Sequence, residues 1–453
     1  MRRCVRVLLA ALAALAVGAA GACAAPVAGA AGLNAAERRI VASVDRRTSA
    51  HVALLRRLVE CNSGTLNLAG VRAVGAMLKP EWEALGFRAR WVDGAPWGRA
   101  GHLLAERTGR PGAPVVVLVG HLDTVFEPTS GFEGWTELSG TAVRGPGITD
   151  MKGGDVIQLL AVHALRDAGL LDRLTIRVVL SGDEERPGSP LALARAALAA
   201  AAEGAAAVLG FEDGDGALER AVTARRGSSN WTLQVRGTPA HSSQVFRADI
   251  GPGAIFEAAR VLAEVRDSLA GEPYLTFNPG FVLGGSDVAV DSSAAGGVAS
   301  GKTNVVADTA YVAGDLRTLT RAQLEHARAV MARIASRHHA RTDAAFTFSD
   351  GYPELEPTGG NRRLLALFSR ASEDLGFGVV EAVDPMRAGA ADVSFVGDRV
   401  PMTLDAVGLK GDGGHTSSEW ADLRALPIQG KRVAVLLARL AAGVARSPEA
   451  AGH

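Results

Sequence analysis

The sequence of 453 residues has little charge and few aromatic side chains: 21% of its residues are charged and 5% are aromatic. Lys and Arg together number 48, as do Asp and Glu, so the net charge is zero and no basic surface for nucleic acid is indicated. Because 48% of the residues are hydrophobic, the chain is too apolar to be disordered. Its length is enough for about two or three folding units with a buried core.

Long apolar runs are absent except at the N-terminus, where three arginines precede a run from Val7 to Val17. This run is too short to span a bilayer, and the small residues Ala20-Gly21-Ala22 after it have the A-x-A pattern of a signal peptidase site. The order of these zones predicts a signal peptide over residues 1–24 and a secreted or periplasmic protein without a membrane span. The alternative is an Ala-rich N-terminal helix, which would not require that order.

Cysteine is scarce, and the three that occur are Cys4, Cys23 and Cys61. Cys4 is lost with the signal peptide. Cleavage after Cys23 leaves Cys61 as the sole thiol, so the exported chain would have no internal disulfide. In the alternative, Cys23 carries a lipid anchor, although Ala20 stands where a larger aliphatic residue is usual. Zinc-ribbon spacings and CxxC pairs are absent as well.

Three short runs rich in β-branched residues lack polar alternation, as expected of strands buried on both faces. They are Pro114–Val119, Leu174–Leu180 and Ala205–Phe211. Helix-like stretches lie between them at Asp155–Ala168 and Leu191–Glu203. This alternation predicts an α/β domain with a mostly parallel sheet flanked by helices.

The pattern changes near Val222, where half-buried strands with polar alternation begin. Such strands are predicted at Asn230–Val235, Tyr274–Leu283 and Thr309–Leu316, with helices at Gly253–Leu269 and Arg321–Arg337. These elements predict an inserted α+β domain over residues 223–338. The α/β domain would then consist of two parts, residues 33–222 and 339–448.

Histidine and acidic residues occur just after the predicted strands. Because ligands of open α/β sheets bind beyond the carboxyl ends of the strands, residues distant in sequence can converge there. A further acidic residue lies in the glycine-bounded segment 147–153, and a histidine follows a strand predicted at Thr403–Leu409. The candidates are His121, Asp123, Asp150, Glu184, Glu185, Glu212 and His415.

Imidazole and carboxylate groups without thiolates suit zinc, cobalt or manganese at a hydrolytic site. Two histidines and three carboxylates suffice for two metals if one carboxylate bridges them. In the pair Glu184-Glu185, one carboxylate can bind metal while the other accepts a proton from metal-bound water. Asp123 is placed to orient the imidazole of His121. Each residue alone could be a structural histidine or a solvated acidic turn, but their joint occurrence after strands favours a metal site.

Four segments carry motifs that occur together in one known family. They are Gly120–Val125, Gly147–Gly153, Gly182–Glu185 and Gly414–His415. They resemble the signature motifs of the dinuclear zinc peptidases that include carboxypeptidase G (glutamate carboxypeptidase), aminoacylase-1, carnosinase and succinyl-diaminopimelate desuccinylase, and glutamate carboxypeptidase is closest in pattern. The resemblance extends over essentially the whole mature chain. It implies that the inserted domain serves as a lid and as the surface of a homodimer.

The same resemblance implies a complete ligand set for two zinc ions, with cobalt or manganese as alternatives. Asp150 would bridge the two metals, and the peptide bond after it would be cis. The remaining ligands would be His121, Glu185, Glu212 and His415.

The resemblance also assigns catalytic and substrate-binding roles. Glu184 would activate the metal-bridging water and pass its proton to the leaving nitrogen. His241 resembles a histidine of the inserted domain that stabilises the oxyanion, often from the other subunit of a dimer. Asn304 and Arg317 resemble residues that hold the substrate carboxylate, for which a guanidinium is suited because it can bind both oxygens.

Together these features predict an exported dinuclear zinc carboxypeptidase that cleaves the amide bond to a C-terminal amino acid, with glutamate as the candidate, in peptides or N-acyl amino acids. An N-acyl amino-acid amidohydrolase or a dipeptidase on the same scaffold is the alternative. A third alternative is a binding protein that has lost activity. That alternative would be favoured by an altered ligand or a missing Glu184, and neither is seen.

Overall fold

The structure is a computed structural model that describes residues 32–291 and 296–443, so the predicted signal peptide, with Cys4 and Cys23, lies outside the described residues. The helices are α1 (Ala35–Val59), α2 (Leu68–Ala84), α3 (Gly153–Asp167), α4 (Leu191–Ala194), α5 (Ala196–Ala202), α6 (Ala254–Leu269), α7 (Arg321–Ser336), α8 (Gly359–Asp374) and α9 (Ala425–Ala441). Within these two ranges, none of the helices combines the length and apolarity needed to cross a membrane.

The strands are short, as is usual in globular proteins. They are β1 (Arg88–Asp93), β2 (Gly101–Arg107), β3 (Val115–His121), β4 (Thr136–Ser139), β5 (Ala142–Arg144), β6 (Thr175–Ser181), β7 (Ala207–Gly210), β8 (Arg220–Ala221), β9 (Ser228–Arg236), β10 (Thr276–Gly285), β11 (Asp287–Val290), β12 (Gly297–Ser300), β13 (Thr309–Arg317), β14 (Asp343–Tyr352), β15 (Glu381–Ala382), β16 (Thr403–Leu404), β17 (Gly411–Asp412) and β18 (Trp420–Asp422).

The central sheet has six strands in the order β1-β2-β6-β3-β7-β16. Strands β6, β3, β7 and β16 run parallel to one another. Strand β2 is antiparallel to β6, and β1 is antiparallel to β2. The predicted α/β class with a mainly parallel sheet is therefore confirmed.

Strand β3 shows why the sheet is encoded by continuous apolar runs. Val116 and Leu118 belong to a core that includes α1, α3 and α9 on one face, whereas Val117 and Val119 pack with α5 on the other. All four side chains are at most 3% exposed. Burying each contributes about 1.5–3 kcal/mol, so the strand tolerates no polar face.

Helix α1 begins where its sequence provides a cap. The Asn34 side chain accepts a hydrogen bond from the Glu37 main-chain N–H, and the Glu37 carboxylate accepts one from the Asn34 N–H. Ile40, Val44 and Leu55 follow at helical spacing and are fully buried. This stripe packs α1 against α3 and α9 and covers one face of the central sheet.

A second sheet has the order β10-β13-β9-β14 and is antiparallel throughout. Helices α6 and α7 cover one of its faces through a separate core that contains Trp231, Val261 and Met331. A hairpin of β11 and β12 extends from it.

The boundary predicted after residue 338 is one strand too early. Strand β14 pairs with β9 over most of its length, and its residues Ala344 and Phe346 pack with the core under α6 and α7. The chain leaves the central unit at Arg225 and returns at Leu355, and the main-chain N–H of each donates to the carbonyl of the other at 3.0 Å. We call residues 226–354 the second unit.

Two predicted elements are shorter or broken in the structure. The strand predicted at Thr403–Leu409 ends at Leu404, because the main chain of Asp405 pairs antiparallel with Val222 and Ala406 has a positive φ of 62°. The helix predicted at Leu191–Glu203 is divided into α4 and α5.

A third, small sheet joins two segments that are far apart in sequence. Its order is β17-β18-β5-β4, and β18 pairs directly with β5. The loop after β5 carries Asp150, and the loop between β17 and β18 carries His415. The pairing brings these two loops to the same place.

Candidate metal centre

The five predicted metal ligands form two groups that share Asp150. His121 Nε2 lies 3.0 Å from Asp150 Oδ1 and 3.6 Å from Glu212 Oε1. His415 Nε2 lies 2.9 Å from Asp150 Oδ2 and 3.2 Å from Glu185 Oε2. Within each group the candidate ligand atoms lie within 4.8 Å of one another. The two oxygens of Asp150 thus face different groups, as a bridging carboxylate requires.

The order of the central sheet explains this convergence. His121 is the last residue of β3, and the turns that carry Glu185 and Glu212 follow its two neighbours, β6 and β7. Because these three strands are parallel, their carboxyl ends meet at one edge. The small sheet supplies Asp150 and His415 from the side, and the peptide bond between Asp150 and Met151 is cis, as the resemblance implies.

His121 is held by the main chain of Asp123. Its Nδ1 lies 3.0 Å from the Asp123 carbonyl oxygen, so Nδ1–H donates there and Nε2 is left to face the ligand group. The Asp123 carboxylate is farther from the ring, at 3.6 Å from Nδ1. It instead accepts the main-chain N–H groups of Glu184 and Glu185 at 3.0 and 3.1 Å, and the Thr65 hydroxyl at 2.7 Å. Asp123 therefore fixes both the imidazole and the turn of the glutamate pair.

Glu419 is a supporting residue that the sequence analysis missed. Its buried carboxylate accepts the main-chain N–H groups of Gly147 and Thr149, each at 2.8 Å, and that of Asp150 at 3.2 Å. Burial raises its pKa to about 7, and the hydrogen bond from Thr149 opposes this shift. Glu419 lies on the same loop as His415, so one side chain joins the two loops that carry the candidate ligands Asp150 and His415. Its position four residues after a candidate ligand was the available signal.

The charge of the site fits two divalent cations. The carboxylates of Asp150, Glu185 and Glu212 belong to the two groups, and Glu184 lies beside them. Burial raises the pKa of Glu185 to about 7 and that of Glu212 to about 8, and the Asp150 carboxylate adds to both shifts. Among the described residues, the buried Glu185 Oε1 has no hydrogen-bond partner. Two divalent cations would balance four carboxylates beside neutral imidazoles.

Glu184 lies outside both ligand groups and keeps its carboxyl free of them. Burial raises the pKa of Glu184 well above its usual range, while His121 opposes the shift and the Glu212 carboxylate adds to it. A carboxylate of raised pKa is a stronger base than an ordinary carboxylate.

The structure places His241, Asn304 and Arg317 in the second unit. His241 lies beside Asn304, and Arg317 is distant from both. The main chain of His241 pairs with that of Val305, next to Asn304, and the His241 ring is exposed, with Nδ1 2.8 Å from Ser243 Oγ. These residues adjoin the Thr309 end of β13, whereas Arg317 is at the other end of this nine-residue strand. At about 3.3 Å per residue, the eight steps from Thr309 to Arg317 place the two ends about 26 Å apart. One chain therefore does not bring all three residues together.

Arg226 is a second arginine beside Arg317. Its Nη1 donates to Thr276 Oγ1 at 2.9 Å, and Thr276 is the cross-strand partner of Arg317 in the second sheet. Burial lowers the pKa of Arg226, and the Arg317 guanidinium lowers it further. Within the described part of the chain, the buried Nε of Arg226 has no hydrogen-bond partner. Arg317 Nε itself donates to the Asp315 carboxylate at 3.1 Å, so the corner holds two guanidinium groups and one carboxylate.

Comparisons with known proteins agree with this geometry. The sequence profile of peptidase family M20/M25/M40 matches residues 117–439. Carboxypeptidase G2 of Pseudomonas sp. (strain RS-16) is 24% identical over 395 residues, which cover 86% of this chain and 89% of the relative.

Solved structures share the fold. Aminopeptidase PepT from Bacillus cereus ATCC 10987 is 20% identical and superposes with a TM-score of 0.69, covering 87% of this chain and 99% of its own. The YXEP protein of Bacillus subtilis, described as a dinuclear metal binding peptidase, is 17% identical with a TM-score of 0.59, covering 87% of this chain and 98% of its own.

Proposed function

The chain belongs to peptidase family M20/M25/M40, and from that membership we propose that it is an exported dinuclear zinc carboxypeptidase. That it is a hydrolase, a metallopeptidase or aminohydrolase, follows from the family and its relatives. The observation that carries the proposal is the sharing of Asp150 between two ligand groups, with Glu184 beside both and part of neither.

The residues of the site have different roles in the proposed amide hydrolysis. Zinc ions bound by the two ligand groups would polarise the scissile carbonyl and acidify the attacking water. Glu184 accepts the proton of that water and delivers it to the leaving nitrogen. Asp123 keeps the base in place, because its carboxylate holds the main-chain N–H groups of Glu184 and Glu185.

The paired arginines support a carboxylate-bearing leaving group. Arg317 would bind the C-terminal carboxylate through its planar guanidinium. Because Arg226 reaches the same corner of the second sheet, a leaving amino acid with a second carboxylate, such as glutamate, would find a second guanidinium there. This arrangement favours a carboxypeptidase for acidic C-terminal residues over an amidohydrolase selected by its acyl group.

Hydrolysis of N-acyl amino acids and dipeptides by the mature protein with zinc tests this proposal. We expect release of the C-terminal residue that is fastest for Glu and Asp and is abolished by chelator. Glu184→Gln should bind two metals and lose turnover, because only the proton acceptor is removed. Rates set by the acyl group would instead favour the amidohydrolase. Full activity of Glu184→Gln would contradict the role of Glu184.

We also propose a homodimer in which His241 and Asn304 complete the site of the partner subunit. The separation of these residues from Arg317 within one chain supports this arrangement. An exposed apolar surface follows His241 in the sequence, where Phe246 and Phe256 are 66% and 59% exposed with ring centroids 5.5 Å apart.

Mixing two inactive variants tests the shared site. His241→Ala and Glu184→Gln chains should each lose turnover alone. After subunit exchange the mixture should regain about a quarter of the wild-type activity, because half of the dimers are mixed and each has one intact site. Exchanged dimers without any recovery would show that His241 acts within its own chain or not at all.

Export is the remaining part of the proposal. It rests on the order of the arginines, the apolar run and the A-x-A pattern in residues 1–24. The mass of the protein recovered from the cell envelope and the medium tests it. Loss of about 24 residues without added mass is expected. Added mass at Cys23 would favour the lipid anchor, and an intact N-terminus would contradict export.

A further inference from the structure

A tyrosine of the second unit contacts the main chain of the catalytic base. The Tyr352 hydroxyl donates to the Glu184 carbonyl oxygen at 2.6 Å and accepts from Arg195 Nη2 at 2.8 Å. Arg195 also donates to the Asp183 carboxylate at 2.7 Å, one residue before the base. The turn that carries Glu184 is thus held by Tyr352 and Arg195 as well as by Asp123, and Tyr352 belongs to the second unit.

A break in the register of β14 positions this tyrosine. The register of β14 against β9 shifts between Ser349 and Tyr352, and such bulges redirect a side chain. Gly351 lies so close to β9 that a Cβ atom there would be 2.3 Å from the Ser228 carbonyl oxygen. The Tyr352 ring then packs edge-on against Phe395 of the central unit, with centroids 5.0 Å apart. The local path of the chain is therefore built to place this ring between the units.

Tyr352 and Arg317 lie at the same end of the second sheet. Tyr352 pairs with Ser228 on one side of β9, while the next residue, Ser229, pairs on the other side with Leu316, which precedes Arg317. Two strand spacings separate them, about 10 Å. A displacement of this end of the sheet would move the predicted carboxylate-binding arginine and the tyrosine together.

We infer that Tyr352 is a positioning residue that makes the placement of Glu184 depend on the second unit. When Arg317 binds a substrate carboxylate, the end of the second sheet is fixed, and the Tyr352 hydroxyl then fixes the carbonyl of the base. The inference rests on the proposed function, since it requires Glu184 to be the base and Arg317 to bind substrate. Tyr352 itself touches neither the metal ligands' donor atoms nor the substrate in this scheme.

Tyr352→Phe tests the inference, because it removes the hydroxyl and keeps the ring that packs against Phe395. We expect kcat for an N-acyl glutamate to fall about tenfold to hundredfold, as for loss of an orienting partner. KM should stay within about twofold, since substrate binding is retained. Zinc content should equal that of the wild type, and the melting temperature should fall by no more than a few degrees, because the Glu184 carbonyl and one Arg195 N–H lose their buried partner. Tyr274→Phe, the same change at a tyrosine that is 38% exposed in the second unit, is the matched control and should be neutral.

Gly351→Ala is a second variant that should disturb the same contact, by shifting the backbone of β14 and not by removing the hydroxyl. Its new methyl group would displace the end of β14 from the Ser228 carbonyl, so kcat should fall here as well, with zinc content unchanged. If wild-type turnover is present and Tyr352→Phe leaves kcat unchanged, or lowers kcat only through lost metal or lost fold, this inference is overturned while the proposed function stands. A wild type that hydrolyses no C-terminal amide would overturn the proposed function, and this inference with it.

Discussion

Replacing Glu419 by Gln should weaken metal binding although Glu419 is not a ligand. The substitution preserves shape but exchanges one acceptor oxygen for an NH₂ group. The amide oxygen can take the place of Oε1, which accepts from Thr149 and Asp150, and the NH₂ group then faces the Gly147 N–H that Oε2 accepts at 2.8 Å. Two donors would point at each other in a buried space.

The magnitude follows from the unsatisfied donor. A buried N–H without an acceptor costs about 1–3 kcal/mol. This cost destabilises the loop conformation that presents Asp150 to both ligand groups. Metal binding, which requires that conformation, should therefore become less favourable by the same free energy. Since 1.4 kcal/mol corresponds to a factor of ten, zinc affinity should fall roughly tenfold to hundredfold.

Competition with a chelator of known zinc affinity measures this effect. Glu137→Gln is the matched control, because Glu137 lies on β4 of the same small sheet and is exposed. We expect Glu419→Gln to release zinc at lower chelator concentration than the wild type and the control. Equal zinc affinities for all three proteins would refute the argument that Glu419 holds the bridging carboxylate in place.

The remaining predictions concern stability. Without metal, the free energy of unfolding should fall as the pH rises from about 5 to about 8. The folded chain retains protons on Glu185 (pKa about 7) and Glu212 (pKa about 8) that the unfolded chain releases. Melting curves recorded in chelator measure this pH dependence, and excess zinc should remove it. Asp167→Asn should cost about 1 kcal/mol at pH 7, because hydrogen bonds from Arg47 and Ser43 outweigh burial and lower the pKa of Asp167 to about 2, while water screens this partly exposed pair. That contribution is complete above the unfolded pKa near 3.8 and disappears as the pH falls through about 2, so urea unfolding at pH 3 should show a smaller difference than at pH 7.

The grouping of three candidate metal ligands was predictable because it depends on a simple rule. His121, Glu185 and Glu212 follow buried strands whose parallel order the apolar runs already indicate. Their convergence needs only that parallel strands end at one edge. The pairing of ligands, His121 with Glu212 and Glu185 with His415, was left open by the sequence and comes from the structure.

The supporting residues were not predictable in this way. Glu419 and Tyr352 act through main-chain atoms of distant loops, so the rule that parallel strands end at one edge does not point to them, although Tyr352 is the last residue of β14. Their roles depend on the pairing of β18 with β5 and on the bulge in β14, which are tertiary features. Strand β14, at the edge of the second sheet, did have a local signal, the alternation of Ala344, Phe346 and Phe348.

The paired crossing at Arg225 and Leu355 has an evolutionary consequence. Because the two chain ends of the second unit lie side by side and bond to each other, the unit is attached like an insertion at a single position. A gene encoding the central unit could have acquired residues 226–354, or exchanged them for another module, without rerouting any strand of the six-stranded sheet. Metal chemistry and substrate choice could then have diversified separately, the first constrained by strand order and the second free to change with the inserted module.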